Sequence, residues 1–216
     1  MAVLEVELKL RGDEAALDEL AAVPRLGPAI LGPPRTVDEL DRYLDTAGQA
    51  LAEARWACRL RTREGRSWIS LKGPAEHADG ASLHRRPEVE GPAPAAPEAA
   101  PATWPDSPAR DLVLRLAGAD PLHEILRLRQ RRVERMAEVN GIRVAVLSLD
   151  RVVVEADGRE QGRQRVVELE LEPGADRSAS DAVVAALRRH PGLLPEPASK
   201  LELALAVARG ATEAAG

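Results

Sequence analysis

The sequence predicts an α+β fold, in which one antiparallel β domain of about eight strands has helices packed outside it. Two observations lead to this prediction. Apolar and polar residues alternate with a period of two through most of the chain, which is typical of strands. Shorter segments carry the period of amphipathic helices, and turns rich in Gly or Pro separate them. The pattern allows a sheet that closes into a barrel but does not require one.

The strands are predicted where the alternation is most regular. In the first, Glu5 and Glu7 share one face and Val6 lies on the other. The pair Asn140-Gly141 separates two later segments and is a strong signal for a tight hairpin. The predicted strands cover 2–11, 35–46, 56–63, 67–73, 83–90, 123–138, 142–156 and 164–172.

The helices are predicted from capping residues and apolar spacing. Asp13 is a good N-cap for the first helix, and Pro24 follows its end. The predicted helices cover 14–22, 47–54, 106–117, 178–189 and 198–209.

The chain is expected to form a single domain over 1–209. Residues 91–105 are largely Ala and Pro, so we expect an extended surface connector within this domain rather than a helix or a central strand. Residues 210–216 are expected to form a disordered tail.

The composition excludes several classes of protein. The chain has 30 basic and 35 acidic residues and a net charge of −5, which argues against a general binder of nucleic acids or membrane surfaces. A single cysteine, Cys58, excludes an internal disulfide and a multi-cysteine zinc site. Three Trp, one Tyr and no Phe leave few rings for a nucleobase site.

The same composition sets an expectation for localisation and partners. No apolar run is long enough to cross a bilayer, and the first residues are acidic where a signal peptide is basic. We expect a soluble cytoplasmic protein, a monomer or a homodimer, with no nucleic-acid or membrane partner.

The polar faces of the predicted strands carry mostly one sign of charge. For a single strand, a solvated outer face is the more common explanation. For the whole set this explanation fails, because like charges directly opposite one another destabilise a sheet. The acidic and basic rows are Glu5 and Glu7; Arg59 and Arg61; Glu88 and Glu90; Arg129 and Arg131; Glu168, Glu170 and Glu172.

A ligand that binds between these rows would relieve the repulsion within them. Clustered carboxylates suit a hard divalent cation, and clustered Arg and Lys suit a polyanion. Together they suit a metal-bound polyphosphate. The barrel would then carry its charges in the lumen and its apolar side chains under the outer helices.

The order of these motifs resembles that of the CYTH domain family, the triphosphate tunnel metalloenzymes. Glu5-Val6-Glu7-Leu8-Lys9 resembles the family's E-x-E-x-K motif. The similar segments that follow are Tyr43-Leu44-Asp45-Thr46, Arg59-Leu60-Arg61, Leu71-Lys72, Arg86-Pro87-Glu88-Val89-Glu90, Asp150, Glu168-Leu169-Glu170 and Ser199-Lys200. The resemblance extends from Glu5 to about Leu205.

The resemblance implies an eight-stranded antiparallel β tunnel that binds a triphosphate with Mg²⁺ or Mn²⁺. The implied metal ligands are Glu5, Glu7, Glu168 and Glu170, with Asp150 nearby, and Glu5, Glu7 and Lys9 are the implied catalytic residues. The implied phosphate-binding residues are Lys9, Arg59, Arg61, Lys72, Arg86, Arg131 and Lys200, and Arg129 is added because it shares the face of Arg131. Glu88 and Glu90 would bind a second metal ion or orient the basic residues.

Several activities are compatible with this resemblance. The leading hypothesis is a metal-dependent phosphoanhydride hydrolase acting on inorganic triphosphate. The alternatives are a thiamine triphosphatase, an adenylate cyclase of the class IV type, and a non-catalytic module that binds polyphosphate or nucleotides.

Overall fold

The computed structural model describes residues 3–78, 82–98 and 100–215, and this part of the chain contains twelve strands and five α-helices. The strands are β1 (Val3–Gly12), β2 (Arg25–Leu26), β3 (Ala29–Leu31), β4 (Arg35–Asp45), β5 (Ala57–Arg63), β6 (Arg66–Lys72), β7 (Glu76–Ala78), β8 (Leu83–Pro92), β9 (His123–Val139), β10 (Ile142–Ala156), β11 (Arg159–Leu171) and β12 (Leu193–Pro195). The helices are α1 (Glu14–Ala22), α2 (Ala50–Glu53), α3 (Pro108–Ala117), α4 (Arg177–Arg188) and α5 (Lys200–Ala215), and a short 3-10 helix lies at Pro101–Thr103.

Eight of the strands close into a barrel. The neighbours follow the order β10-β11-β1-β8-β6-β5-β4-β9, and β9 pairs back with β10. Each of these pairings is antiparallel. The predicted α+β fold, a closed eight-stranded antiparallel barrel with helices outside, is therefore confirmed.

Helices cover the outer wall on two sides. Leu147, Leu149 and Leu169 point outward into a core that they share with α1 and α4. On the other side, α2 and α3 pack against outward residues of β5, β6 and β8, such as Ile69 and Leu71. Because the outer helices bury the apolar face of the wall, the opposite face of the same strands is left to line the lumen.

The last helix, α5, covers the inner wall at one end of the barrel. It packs on Leu128 and Val154, which lie opposite each other on β9 and β10. Gln130 and Val152 form the next inward pair along the same two strands. The first residue of α5, Lys200, lies beside this end of the lumen. None of the helices within the described residues is both long and apolar enough to span a membrane.

The structure differs from the predicted elements at several places. The short strands β2, β3, β7 and β12 were not predicted, because two or three residues carry too little alternation to be recognised. The helix α5 continues to Ala215 and so includes residues 210–215 of the expected tail, where the Ala-rich sequence has high helix propensity. Ala2, Ala99 and Gly216, assigned to the first strand, the connector and the tail, lie outside the described residues.

Pro87 lies inside β8, where proline would normally interrupt a ladder. On one side of β8, the partner changes from β6 to β7 around this position, since β6 pairs up to Glu88 and β7 begins opposite Arg85. Pro87 still accepts a hydrogen bond from the Gly73 backbone through its carbonyl oxygen. The strand therefore tolerates the missing N–H at this break between partners.

A buried arginine fixes the end of α1 to the barrel. Arg135, 5% exposed, donates to the backbone carbonyls of five residues. The acceptors are Leu20, Ala21, Val23, Leu31 and Gly32. One guanidinium group thus satisfies the free carbonyls at the C-terminus of the helix and those of the β2–β3 hairpin.

We expect Arg135→Met to lower the free energy of unfolding by about 3 kcal/mol, because it leaves several buried carbonyls without a donor. Urea unfolding followed by circular dichroism measures this change. The control is Arg177→Met on α4, whose side chain is 90% exposed and whose replacement should change stability by less than about 0.5 kcal/mol. Equal effects of the two substitutions would contradict the structural role of Arg135.

Candidate functional site: a charged lumen

Charged side chains from all eight barrel strands and from α5 line the lumen. A cavity of about 60 Å³ lies among them, between Glu5, Arg59 and Glu168. The carboxylates along the lumen are Glu5, Glu7, Glu39, Asp41, Glu88, Asp150, Glu168 and Glu170, and the cations are Lys9, Arg59, Arg61, Lys72, Arg86, Arg132 and Lys200. The strands place opposite charges within reach of one another across a space that excludes most water.

The first group of contacts surrounds the two glutamates of β1. Arg86, opposite Glu5 on β8, donates from Nε to Glu5 Oε2 at 2.9 Å and from Nη2 to Glu7. Lys72 donates to the other oxygen of Glu5. Burial alone would raise the pKa of Glu7, but the charges of Lys9 and Arg86 hold it below its ordinary value. Glu7 is therefore a carboxylate in the folded protein at neutral pH.

The second group surrounds Asp150, which is fully buried. Arg132 donates to it through Nε and Nη2, both at 2.7 Å, and reaches Glu168 Oε2 at 2.9 Å. The Lys200 ammonium donates to both carboxylates. Burial lowers the pKa of Lys200, but Asp150 and Glu168 outweigh this effect and raise it, so the lysine stays charged.

The third group lies on the opposite wall, on β4 and β5. Arg61 donates to the two oxygens of Asp41 at 2.7 Å each, and Gln130 donates to Asp41 Oδ2 at 2.7 Å. Arg59 donates from Nε to Ser70 Oγ at 3.1 Å, but its two terminal nitrogens are held more loosely, with Nη1 3.6 Å from Asp41 and Nη2 3.6 Å from Glu88. The Arg59 guanidinium can therefore turn to a ligand at lower cost than that of Arg61.

Lys9 is a buried cation whose bonding capacity is not used up. Its side chain is fully buried, and Nζ lies 3.1 Å from Glu7 and 3.9 Å from Glu168. Nζ makes no hydrogen bond of acceptable geometry with any described residue. A buried ammonium with free donors is costly unless a ligand accepts from it.

The donors in the lumen fit a hard divalent cation by their chemistry. Glu5, Glu7, Glu168 and Glu170 supply only carboxylate oxygens, which Mg²⁺ and Mn²⁺ prefer. Burial and the charge of Glu5 raise the pKa of Glu170 to about 7, as expected of a carboxylate beside like charges. In the present arrangement the other three pair with Arg or Lys, and no group of three or more His, Cys, Asp or Glu among the described residues converges to hold a metal ion.

Most of the residues selected from the sequence come together in this lumen. Glu5, Glu7, Lys9, Arg59, Arg61, Lys72, Arg86, Asp150, Glu168, Glu170 and Lys200 all line it or contact residues that do. Glu88 lies 3.6 Å from both Arg59 and Lys72, among the basic residues of the lumen. Glu90 accepts from the Trp68 indole N–H at 3.0 Å in an exposed position.

Two of the selected residues lie outside the lumen. Arg129 and Arg131 are exposed on the outer wall, and Arg129 pairs there with Glu155. The inward positions on this strand are Gln130 and Arg132 instead. The physical reason is a β-bulge between Arg143 and Ala145, which shifts the β9–β10 register by one residue and places Arg132 opposite Asp150.

Sequence reasoning also missed the acidic residues of β4. Asp41 and Glu39 are buried and hold the basic row of β5 in place. Their alternation with Leu40 was a usable signal, because acids on the strand beside Arg59 and Arg61 are potential partners. Asp45 caps the next turn by accepting from the backbone N–H of Thr46, Leu51 and Ala52, so its role is structural.

A closed antiparallel barrel with paired carboxylates and guanidinium groups in its lumen is a charged β tunnel. The chain belongs to the CYTH domain family, whose model matches residues 4–204. This confirms the resemblance seen in the sequence motifs. No match to a curated protein was found.

Solved structures support the same fold. HpAC1 from Hippeastrum, assigned as an adenylyl cyclase and described as having a dominant triphosphatase activity, is 21% identical, with a TM-score of 0.65 and 95% of each chain covered. A protein from Bacillus halodurans assigned as an adenylate cyclase is 18% identical, with a TM-score of 0.64, covering 94% of this chain and 97% of its own. The Mimivirus capping enzyme triphosphatase is 10% identical, with a TM-score of 0.52, covering 85% and 87%. At these identities the likeness shows the fold.

We expect the Asp41–Arg61 pair to contribute to stability in a pH-dependent way. Burial raises the pKa of Asp41, but Arg61 and Arg59 outweigh it and leave the pKa below its ordinary value. In the unfolded chain this pKa returns to about 3.9. The stabilisation is therefore fully present above that pH and is lost as the pH falls through the lower folded value.

Asp41→Asn should lower the free energy of unfolding at pH 7 by about 3 kcal/mol, because buried Arg61 loses the carboxylate that accepts two of its hydrogen bonds. It should also reduce the loss of stability between about pH 5 and pH 2. Urea unfolding across this range measures both effects. Asp120→Asn, at an exposed position, is the control; a variant of Asp41 with the acid profile of this control would refute the assignment.

Proposed function

We propose that the protein is a metal-dependent triphosphatase that hydrolyses the terminal phosphoanhydride of inorganic triphosphate in its lumen. The observation that carries the proposal is the convergence of seven cationic side chains and eight carboxylates in one enclosed space. Phosphoryl transfer needs accurate positioning and relief of charge more than covalent help from the protein. This lumen supplies donors and charges of that kind.

The charge balance of the lumen supports metal dependence. Since the carboxylates already offset the cations, a triphosphate that entered alone would leave several negative charges uncompensated at low dielectric. Divalent cations entering with it restore the balance. The proposed ligand is therefore triphosphate together with Mg²⁺ or Mn²⁺.

Binding then proceeds by an exchange of partners. Phosphate oxygens accept from Arg59, Lys72 and Arg86. Lys72 then releases Glu5, and Arg86 releases Glu5 and Glu7. The free donors of Lys9 and the ammonium of Lys200 complete the proposed phosphate contacts, with Arg61 and Arg132 behind them. The released glutamates, with Glu168 and Glu170, are the proposed metal ligands, and Asp150 lies behind them.

The proposed catalytic residues are Glu5, Glu7 and Lys9. When bound, a divalent cation polarises phosphoryl oxygens and neutralises charge on them. The carboxylate oxygens of Glu5 and Glu7 lie beside the proposed phosphate-binding residues. Against the effect of burial, the charges of Lys9, Lys72 and Arg86 lower the pKa of these carboxyl groups and keep them ionised. Lys9, fixed and desolvated on the same strand, donates to charge that develops on the transferred group.

A second candidate substrate is an organic triphosphate. A cavity of about 710 Å³ adjoins the lumen and shares Lys72, Arg86 and Ser199 with it. Its lining is largely apolar and includes Trp56 and Leu205. This cavity favours a triphosphate that carries an organic group, as in thiamine triphosphatases and adenylate cyclases.

The first functional prediction concerns metal and substrate. The protein should release phosphate from inorganic triphosphate with Mg²⁺ or Mn²⁺, and chelation by EDTA should abolish this release. Glu7→Gln should lower kcat/KM by at least about 100-fold, while Glu160→Gln at an exposed position of β11 serves as the control. Parallel assays use thiamine triphosphate and ATP. Cyclic AMP as the main product, or tight binding of each triphosphate without turnover, would overturn the proposal.

A matched pair of variants tests the inward face of β9. Arg132→Gln should lower kcat/KM by about 100-fold, because Asp150 and Glu168 lose the guanidinium that orients them. Arg131→Gln, one residue earlier and exposed, should change it by less than about twofold. Melting temperatures of both variants separate lost stability from lost activity. The reverse order of effects would show that the lumen uses Arg131.

A further inference from the structure

The 710 Å³ cavity beside the lumen has two basic residues on its outer part. Arg55 follows α2, and Arg209 lies on α5. Both are exposed, and neither forms an ion pair within 4 Å with another residue in the described part of the chain. Their charges are therefore available to a ligand in the cavity.

One face of α5 lines the cavity along its length. Leu201, Glu202, Leu205 and Arg209 line it at helical spacing, and Lys200 at the start of the helix lies in the lumen. Arg209 lies nine positions after Lys200, which corresponds to about 13.5 Å along the helix axis. A ligand that reaches from the lumen to Arg209 must therefore carry an extended organic spacer between its two anionic ends.

The middle of the cavity is apolar and faces such a spacer. Trp56 packs beside Gly73, where a Cβ would meet its ring at 3.0 Å, and Leu205, Pro197 and Ile125 complete the surface. Ile125 is 36% exposed. Apolar side chains with few polar groups at the edge are typical of a site for a small organic group.

The backbone next to Arg55 is held in an unusual conformation. Arg55 has φ of 63° and Gln49, at the other end of α2, has φ of 58°, and both residues line the cavity. Left-handed backbone at non-glycine residues costs free energy and is concentrated at functional sites. Asp45 fixes this turn through three backbone N–H groups. The turn thus holds the Arg55 backbone at the edge of the cavity.

We infer that this cavity binds the organic part of a triphosphate ester that carries a further phosphate, with Arg55 and Arg209 as the second anion site. The inference rests on the proposed function in one respect, because it places the triphosphate in the lumen. The further phosphate comes either from a phosphomonoester on a nucleotide or from the next phosphodiester of a 5′-triphosphorylated oligonucleotide. Arg is suited to either, because its planar fork binds phosphate through two hydrogen bonds.

The test measures binding separately from turnover. Isothermal calorimetry compares β,γ-imido ATP, the same compound with a 3′-phosphate, and a 5′-triphosphorylated dinucleotide with the same β,γ-imido linkage, with Mg²⁺ present. We expect the 3′-phosphorylated compound to bind at least about tenfold more tightly than β,γ-imido ATP. An equal gain for the dinucleotide identifies a phosphodiester as sufficient, and no gain for it restricts the site to a phosphomonoester.

The variant Arg55→Gln/Arg209→Gln should reduce the ratio of the two dissociation constants to about one. Arg163→Gln, an exposed arginine on the outer wall, should keep the ratio of the original protein. Equal affinities for the two compounds in the original protein, or a ratio that the double variant leaves unchanged, would overturn the inference. Failure to hydrolyse inorganic triphosphate would instead count against the proposed function, since binding is measured without turnover.

Discussion

Pairing of buried charges is the constraint on which the rest of this structure depends. Lys9, Asp41 and Asp150 are fully buried, and each lies against at least one opposite charge. An unpaired charge at this depth would cost more than a small barrel could offset. The cations and carboxylates of the lumen thus stabilise one another. Under the proposed function, the same balance favours a polyanion that arrives with cations of its own.

The fold was largely predictable because the outer wall follows simple rules. On β1 and β11, apolar residues face the helices and charged residues face the lumen, so alternation alone gives the strand and its orientation. The hairpin at Asn140-Gly141 was equally clear, and both residues adopt positive φ as a tight turn requires. Closure of the barrel could not be predicted from any single segment, because it depends on the pairing of β9 with both β4 and β10.

The site was predictable where these rules hold and not on β9. There the inward residues change from Leu126 and Leu128, which α5 covers, to Gln130 and Arg132, which face the lumen. The outer wall beside them carries exposed arginines such as Arg129. Because charges occur on both faces, alternation cannot identify the inner one. The bulge between Arg143 and Ala145 sets the register that places Arg132 opposite Asp150. A bulge of one residue is hard to recognise in a sequence.

The distribution of lysine gives an independent view of the lumen. The chain has 30 basic residues, of which Lys9, Lys72 and Lys200 are the lysines, and all three ammonium groups lie in the lumen. The basic residues at the protein surface are therefore arginines, although lysine is usually common there. At these three positions, a compact ammonium with three rotatable donors fills less space than a planar guanidinium. At Lys9, with no exposed surface, this difference in shape leaves donors free for a ligand without displacing Glu7 or Glu168.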